Sequence, residues 1–390
     1  MRAGVFLEAL STLGDVDVVA IAPKVMCLPA MSYVREYARR VIILDTEGKE
    51  DTLYRMAASA PDPQQGLAIF KQYGLPSASA RVSAPIRREL TEVLDSRGYD
   101  LTLISRSYLL PVVDGLKERG TLGELVIDLD DDDVAINLEL AGVAENEGNN
   151  SRNTWLQQNA NAYARLIEET CSSADLIIAA SATARNSIAD RSRLTGLEVL
   201  VNGVEVPDLG SREAGTAAVF VGNLTYEPNR SGVLWFINEV LPRIRCEIPE
   251  QVFHVGGSGP EAAIKDLFAS AGVRLTANPS NLHDVYNQAA IAVVPLFAGS
   301  GSRIKILEAG AQGVPVVSTR KGAEGLDLES GKHLWIAGDD PDEFARVCLE
   351  ALRSKLARRS RAAYLWRHVN KHHNRNSVVA RAAKRFASLL

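Results

Sequence analysis

The most informative stretch of the sequence is Ala298-Gly-Ser-Gly-Ser-Arg-Ile-Lys-Ile-Leu-Glu-Ala-Gly-Ala-Gln-Gly-Val-Pro-Val-Val317. An apolar run just before it, 291–295, ends in proline and is typical of a buried parallel strand. Glycines at 299 and 301 interrupt this run, and the pattern then predicts a short helix over 303–312. A second apolar run, 315–319, predicts the next strand. The order strand, glycine loop, helix, strand indicates a parallel α/β fold.

The same stretch carries chemistry suited to a phosphate. A helix N-terminus behind a glycine loop offers free backbone N–H groups and the positive end of a dipole. Arg303 and Lys305 add fixed positive charge, and the carboxylate of Glu308 is placed to accept hydrogen bonds from sugar hydroxyls. Together these features indicate a nucleoside diphosphate ligand. The alternative is a purely structural loop, because glycine loops before helices are common in α/β proteins.

A chain of 390 residues is longer than one hydrophobic core usually accommodates, which predicts two domains. A polar segment of small residues, 206–215, separates two series of alternating strands and helices. The predicted strands are 17–23, 41–44, 101–105, 125–128, 176–180 and 197–201 before this segment, and 217–222, 251–256, 273–276, 291–295 and 314–318 after it. We therefore expect two doubly wound Rossmann-like domains, over 1–205 and 216–372, that face a cleft. A single long helix is predicted over 134–171.

Several motifs resemble those of one family, the bacterial retaining glycosyltransferases with the GT-B fold (group 1, family 4 type), which use nucleotide sugars. The match rests first on Gly-Ser-Gly-Ser-Arg-Ile-Lys-Ile-Leu-Glu-Ala at 299–309. Phe-Val-Gly-Asn-Leu-Thr-Tyr-Glu-Pro-Asn at 220–229, Val-Gly-Gly-Ser-Gly-Pro at 255–260 and Asn-Leu-His-Asp-Val-Tyr at 281–286 follow the family's order. The resemblance also implies that the last helix, 377–390, packs back on the N-terminal domain.

The resemblance assigns roles to particular residues. Arg303 and Lys305 would neutralise the leaving diphosphate, and Glu308 would bind the ribose hydroxyls. Asp130 stands where the family often has a histidine that orients the acceptor or the transferred sugar. The remaining implied donor-binding residues are Gly222, Asn223, Gly256, Gly257, Asn281, Gly299, Ser300, Gly301 and Ser302.

The sequence departs from the family's pattern at several positions. The first of two acids that the family often carries is Ser300 here, and the usual Arg and Lys after the opening strand are Asn223 and Pro228. The family also begins with a strand and a Gly-Gly loop that touches the donor phosphates, whereas Met1 leads almost directly into a predicted helix. We therefore expect an N-terminal domain that lacks its first strand. Either the start has been assigned too late or part of the site has been lost.

Charge and composition indicate the cellular compartment of the protein. The sequence shows neither a signal peptide nor an apolar run of about 20 residues, and its four cysteines are scattered, which predicts a cytoplasmic protein with reduced thiols. From residue 351 onward there are eleven Lys or Arg and no acid, while the first 350 residues carry 32 basic and 48 acidic groups. This basic tail either contacts anionic lipid at the membrane or lies against the acidic body.

The aspartate-rich segment 128–133 has the residue types of a metal site but not a metal-binding spacing. Aspartates at a strand end and a helix N-terminus need no ion, so we expect no metal and no cofactor. The interpretation from sequence is a retaining hexosyltransferase that moves a sugar from a nucleoside-diphosphate donor to a saccharide or lipid-linked acceptor, for cell-surface polysaccharide or glycolipid. The alternatives are a sugar-nucleotide epimerase and a non-catalytic protein that binds a nucleotide or a partner. No nucleic-acid partner is expected.

Overall fold

The computed structural model describes residues 2–27, 30–94, 98–113, 116, 120–208, 215–259, 262–279, 281–299 and 303–390. The described chain forms two compact units. The first contains residues 2–202 and 378–390, and the second contains 203–299 and 303–377. The C-terminal helix thus belongs mostly to the first unit, while the helix before it belongs to the second.

The first unit alternates strands and helices. Its strands are β1 (Asp17–Ala22), β2 (Arg40–Asp45), β3 (Leu101–Ser105), β4 (Glu124–Asp130), β5 (Leu176–Ala179) and β6 (Leu197–Val199). Its helices are α1 (Arg2–Ser11), α2 (Lys24–Cys27), α3 (Met31–Tyr37), α4 (Thr52–Ala58), α5 (Pro63–Tyr73), α6 (Ala84–Leu94), α7 (Asp133–Asn146), α8 (Asn150–Cys171) and α9 (Ala182–Arg191). Short 3₁₀ turns occur at Ser77–Arg81 and Ser107–Val112.

The strands of the first unit are parallel but fall into two sheets. Among the described residues, β1 pairs only with β2, and the order of the other sheet is β3-β4-β5-β6. All six residues of β1 remain half-buried, although Val19 and Ile21 are strongly apolar. In contrast, the last six residues of β4 are all buried. The sequence analysis expected a doubly wound domain without its first strand, and here the parallel strands are divided between a pair and a set of four.

The four-stranded sheet is covered on both faces. One face packs against α6 and α8 through residues such as Ile86 and Tyr163, which join Leu125 and Ile127 of β4 in one core. The other packs against α1 and the C-terminal helix, α17 (Arg375–Ala387), where the rings of Phe6 and Phe386 meet edge to face at 5.7 Å.

The second unit is a six-stranded parallel sheet with helices on both sides. Its strands are β7 (Ala217–Val221), β8 (Phe253–Gly257), β9 (Arg274–Ala277), β10 (Ala289–Val294), β11 (Val316–Thr319) and β12 (Trp335–Ala337). Its helices are α10 (Glu227–Trp235), α11 (Leu241–Glu247), α12 (Ala262–Ser270), α13 (His283–Asn287), α14 (Ile304–Ala311), α15 (Pro341–Arg353) and α16 (Lys355–His372). A π-helical segment, Phe236–Val240, joins α10 to α11, and a 3₁₀ turn spans Lys321–Ala323.

The strand order of this sheet is β12-β11-β10-β7-β8-β9. The order reverses between β7 and β10, which are neighbours in the sheet although two strands and four helices separate them in the chain. In open parallel sheets, the crevice at such a reversal, outside the carboxyl ends of the strands, is the usual place for a ligand. The expected α/β class is confirmed, with parallel sheets in both units.

Two local predictions were wrong. The helix predicted over 134–171 is two helices, α7 and α8, because Gly148 adopts a φ of 72° that ends the first, and the side chain of Asn149 caps the second. The edge strand β12 was missed, since three residues are too few to show a period. Within the described ranges, none of the helices combines the length and the apolar character needed to cross a membrane.

Candidate functional site

The carboxyl ends of β7, β8 and β10 in the second unit carry closely packed glycines. A Cβ added to Gly257 would lie 2.1 Å from the carbonyl oxygen of Gly222, so the two backbones touch where β7 and β8 end. Gly256 is equally restricted, because a Cβ there would lie 2.9 Å from Val285. After β10, Gly299 has a φ of 102°, which side-chain-bearing residues rarely adopt. Gly256 and Gly257 therefore permit the close packing of β7, β8 and α13, since a side chain at either position would meet protein atoms.

The helix α14 begins at this edge with an unusual residue. Arg303 precedes its first turn in a left-handed conformation (φ 51°) and is only 5% exposed. Its guanidinium donates a hydrogen bond to the carbonyl of Gly299 and lies 3.3 Å from a carboxylate oxygen of Glu324. Lys321 also contacts Glu324, at 2.6 Å. Glu324 therefore holds two cations beside the start of α14. The predicted contributions of Ser300, Gly301 and Ser302 lie outside the described residues.

Lys305 lies in the first turn of α14, where it is enclosed and its ammonium group is held by an amide. Its Nζ donates to the side-chain oxygen of Asn229 at 3.0 Å, and the Asn229 amide nitrogen donates to the carbonyl of Asn223 at 2.8 Å. Burial, together with the nearby charge of Arg303, lowers the pKa of Lys305 to about 8. The ammonium group is thus poorly compensated in this state, and an anion brought close to it would be bound strongly.

Glu308 lies on the same helix and is paired with a phenol. Burial raises the pKa of this carboxyl to about 7, although the charge of Lys305 and a hydrogen bond with Tyr286 oppose the rise. Tyr286 is fully buried, and its hydroxyl also donates to the carbonyl of Lys305 at 3.4 Å. The carboxyl of Glu308 therefore has a fixed orientation and is easily protonated in the absence of a ligand. Hydroxyl donors from a sugar would stabilise its charged form.

Asn281, another predicted donor residue, lies just before α13. Its side-chain oxygen accepts a hydrogen bond from the backbone N–H of His283 at 2.9 Å, at the start of α13. His283 in turn contacts Gln312 at 2.6 Å, one helical turn beyond Glu308 on α14. These three side chains border an open cavity of about 520 Å³, whose other walls are residues 205–207 and 374–376.

Asp130, the third predicted catalytic residue, lies in the first unit at the end of β4. It has a φ of 60° and is 4% exposed. Its carboxylate lies 2.6 Å from Arg106, which follows β3 with a φ of 99°, and 3.4 Å from Arg2. Arg106 and Asp130 are far apart in the sequence but in contact, and both have a positive φ, which costs conformational free energy. Such backbone strain is characteristic of functional sites. The pair places a half-exposed guanidinium at the carboxyl edge of this sheet.

The neighbouring aspartates have partners in the protein. Asp128 is buried against Arg2, and Asp132 is held at 2.6 Å by Arg191 while it caps α7. Asp133 accepts a hydrogen bond from the Ser107 hydroxyl, yet burial raises its pKa to about 6. Among the residues that the structure describes, no group of three or more His, Cys, Asp and Glu side chains is placed to hold a metal ion.

Sequence reasoning missed three contributors to the second-unit site. Asn229 and Tyr286 lie within motifs that were matched, but neither these two residues nor Glu324 was given a role. Each side chain reaches the start of α14 from another element. Asn229 is 76 residues and Tyr286 is 19 residues from Lys305, and Glu324 is 21 residues from Arg303. A polar residue at a position that the helical pattern assigns to the buried face, such as Asn229, is the one signal that could have shown this.

The class of this unit follows from a family comparison. Residues 215–354 match the model of glycosyl transferases group 1, and this range contains β7 to β12 and the whole of α14. The match covers most of the second unit and about a third of the chain. The resemblance to GT-B glycosyltransferases that the motifs indicated is confirmed.

Particular relatives agree with this class. An uncharacterized 44.6 kDa protein in the cps region of Klebsiella pneumoniae is 30% identical over 130 residues, which are 31% of this chain and 34% of that protein. The chain thus matches about a third of the length of this relative. Anabaena HepE, solved in complex with UDP and glucose, superposes with a TM-score of 0.68 at 12% identity, over 100% of this chain and 96% of HepE. Sucrose-phosphate synthase from Thermosynechococcus elongatus gives a TM-score of 0.67 at 14% identity, over 98% and 91% of the two chains. At such identities the likeness shows the fold, which is GT-B.

Proposed function

We propose that this protein is a retaining glycosyltransferase that moves a hexose from a nucleoside-diphosphate sugar to an acceptor hydroxyl. The observation that carries the proposal is the pair of Lys305 and Glu308 on α14, beside the strand-order reversal of a group 1 glycosyltransferase domain. A cation and an acid one turn apart suit the two polar parts of a nucleotide sugar. Lys305 binds the diphosphate and Glu308 accepts hydrogen bonds from the ribose.

In the proposed reaction, the bond between the anomeric carbon and the diphosphate oxygen breaks while a bond to the acceptor oxygen forms on the same face. The acceptor proton passes to the departing diphosphate, which is the base. Negative charge grows on that diphosphate, and Lys305 and Arg303 stabilise it from fixed positions. Glu324 and Asn229 hold the two cations in place before the donor arrives, so little reorganisation is needed. Gly222, Gly256 and Gly257 allow the donor to lie against the backbone.

We propose that no metal or cofactor takes part, because protein cations supply the charge that a metal would otherwise provide. EDTA should then leave turnover unchanged, and restoration of lost activity by a divalent cation would contradict this part of the proposal.

The relatives suggest the donor and the acceptor. HepE was solved with UDP and glucose, which places UDP-sugars first among the donors to be tried. The cps-region relative favours a role in polysaccharide synthesis, with a saccharide or lipid-linked acceptor. A cytoplasmic location, in part at the inner face of the membrane, is consistent with such an acceptor.

The first experiment is the thermal stability of the full chain against UDP-, GDP-, ADP- and dTDP-sugars and CMP. A donor at 100 times its Kd stabilises the native state by about 2.7 kcal/mol, which is a shift of several degrees. Glu308→Gln should lose most of this shift, because the neutral amide cannot accept charge-assisted hydrogen bonds from the ribose. Glu168→Gln, which changes an exposed acid of α8, is the matched control and should keep the shift. Equal shifts in both variants would remove Glu308 from the site.

A non-catalytic nucleotide-binding protein is the second candidate, and the divided sheet of the first unit favours it. In that case a nucleotide sugar would still raise the melting temperature, but no nucleoside diphosphate would be released with any acceptor. If nucleoside diphosphate is released only when an acceptor is added, and if this release is lost on substitution of Lys305, the protein is a transferase.

A further inference from the structure

The outer face of α16 in the second unit is cationic over its whole length. Lys355, Arg359, Arg367 and Lys371 are all exposed along this helix. They span 16 residues, which is about 24 Å of helix. Within the described part of the chain, none of these four side chains forms an ion pair with an acid. The face therefore presents four uncompensated charges in one row.

Apolar side chains lie among the cations of this face. Successive residues of a helix are rotated by about 100°, which places Leu356 and Ala363 between the cations on either side. Leu356 is 81% exposed, and Tyr364, at one border of the face, is 41% exposed. Leu356 is the second residue of α16, so this exposed side chain stands beside Lys355 at the N-terminal end of the cationic face and takes no part in the core. An exposed leucine next to cations is suited to the apolar side of a membrane interface.

The opposite face fixes α16 to the rest of the unit. Leu365 and Val369 are fully buried and pack on Gly310 of α14, where an added Cβ would lie 2.8 Å from Leu365 and 2.9 Å from Val369. The cationic face is thus rigidly displayed on the helix that supports α14. Exposure of Lys355, Leu356, Arg359 and Arg367 is a property of the folded unit rather than of a loose tail.

The charge of neighbouring elements leaves this face positive. Three acids on other elements act near α16: Asp327 affects the charge of His368, Glu329 is paired with Lys332 at 2.7 Å, and Glu247 is paired with Arg353 at 2.8 Å. There is no acid in the sequence after Glu350, whereas the first 350 residues carry 48 acidic and 32 basic groups. The outer face of α16 is therefore a positive surface of the second unit, and an anionic plane would attract it.

We propose that the outer face of α16 docks the protein onto an anionic lipid bilayer. Lys355, Arg359, Arg367 and Lys371 contact the headgroups, while Leu356 enters the boundary between headgroups and acyl chains. A soluble polyanion would satisfy the charges but not Leu356, and for this reason the bilayer is favoured. The inference stands apart from the proposed reaction, since binding to vesicles is measured without donor or turnover.

The test uses the full chain and large vesicles of phosphatidylcholine, with or without 30% phosphatidylglycerol, in a sedimentation assay at 0.1 M NaCl. We expect binding to the anionic vesicles and at least tenfold weaker binding to the neutral ones. Each basic residue near an anionic surface contributes about fivefold in affinity, so Arg359→Gln/Arg367→Gln/Lys371→Gln should weaken binding by about 100-fold. Leu356→Ser should weaken it by about tenfold. Raising the salt to 0.5 M should also release the wild-type protein.

The matched control is Arg55→Gln/Lys71→Gln/Arg88→Gln, which removes three exposed charges from helices of the first unit. It should bind as the wild type does, and all variants should retain the wild-type melting temperature. Equal loss in both triple variants would show only a net-charge effect and would overturn the proposal. Unchanged binding in the α16 variants would also overturn it. Tight binding of heparin or single-stranded DNA, with no binding to vesicles, would assign the surface to a soluble polyanion instead.

Discussion

Arg2 makes the most consequential single contact of the first unit, and its loss is the perturbation whose effect the structure defines best. Its guanidinium lies 2.7 Å from Asp128 on β4, and it donates to the carbonyl of Leu200 at 2.6 Å. The side chains of Arg2 and Asp128 are 5% and 0% exposed, and Asp130 lies 3.4 Å away. This one cation therefore compensates two buried carboxylates and joins α1 to the sheet.

Arg2→Met keeps an unbranched apolar stem beside Phe6 but leaves Asp128 buried without its counter-ion. Breaking a buried ion pair in this way costs about 3–5 kcal/mol. For a unit of about 200 residues, each kcal/mol lowers the melting temperature by about 2–4 °C, so a fall of about 10 °C is expected. Differential scanning calorimetry is the assay, because it can resolve the transitions of two units.

The pH dependence of this loss has a definite sign. Burial raises the pKa of Asp128 and Arg2 opposes that rise, so removal of Arg2 raises the pKa further. As the pH falls through the raised value, Asp128 takes up a proton and no longer needs a cation. The difference in melting temperature between wild type and Arg2→Met should therefore shrink on acidification.

Two further variants test whether Arg2 stabilises the first unit by pairing with Asp128. Arg2→Met/Asp128→Asn removes both charges and should regain part of the lost stability, since no buried carboxylate is left unpaired at this position. Arg385→Met breaks a more exposed pair with Glu198 in the same unit and should cost under about 1 kcal/mol. If Arg2→Met cost no more than Arg385→Met, or if the double variant were no better than Arg2→Met, the assigned role of Arg2 would be wrong.

Two other predictions concern Gly257 and His368 of the second unit, and Gly142 of the first unit is the control for Gly257. Gly257→Ala should lower the melting temperature of the second unit, by about 1–3 kcal/mol in stability, and weaken donor binding, because its Cβ would meet the carbonyl of Gly222 at 2.1 Å. Gly142→Ala, inside α7 with open space around it, should instead stabilise by up to about 1 kcal/mol. Burial and three neighbouring imidazoles lower the pKa of His368 to about 4, so the unfolded chain binds the extra proton first and stability is lost as the pH falls from 6.5 to 4. Circular dichroism melts of His368→Asn should show this loss reduced by about 1–2 kcal/mol after allowance for solvent screening, and an unchanged pH profile would contradict the assignment.

A cluster of histidines illustrates what spacing along the sequence does not show. His333 lies far in the sequence from His368, His372 and His373, so no local pattern joins it to them. In the structure, the ring of His368 lies 5.3 Å from that of His333, 4.9 Å from His372 and 6.0 Å from His373. His333 comes from the turn before β12, so only the packing of α16 beside that turn makes the cluster.

The sequence by itself determined the features that depend on near neighbours in the chain. Apolar runs bounded by glycine and proline located 11 of the 12 strands to within two residues at most of their ends, because buried parallel strands carry this local signature. The helix that carries Lys305 and Glu308 was predicted for the same reason, since a strand, a loop and a helix in succession fall within about 20 residues. The class of protein was indicated by the resemblance of several motifs to a known family, not by periodicity.

Only the tertiary structure decided what those residues touch. Asn229 reaches Lys305 across 76 residues, and Arg2 reaches Asp128 across 126, so neither contact leaves a local pattern. The division of the first unit into two sheets, the left-handed pair Arg106 and Asp130, and the outward face of α16 likewise result from how separate elements pack. The physical reason is that secondary structure follows from short-range periodicity, whereas burial, ion pairing and pKa depend on groups that the chain brings together only when it is folded.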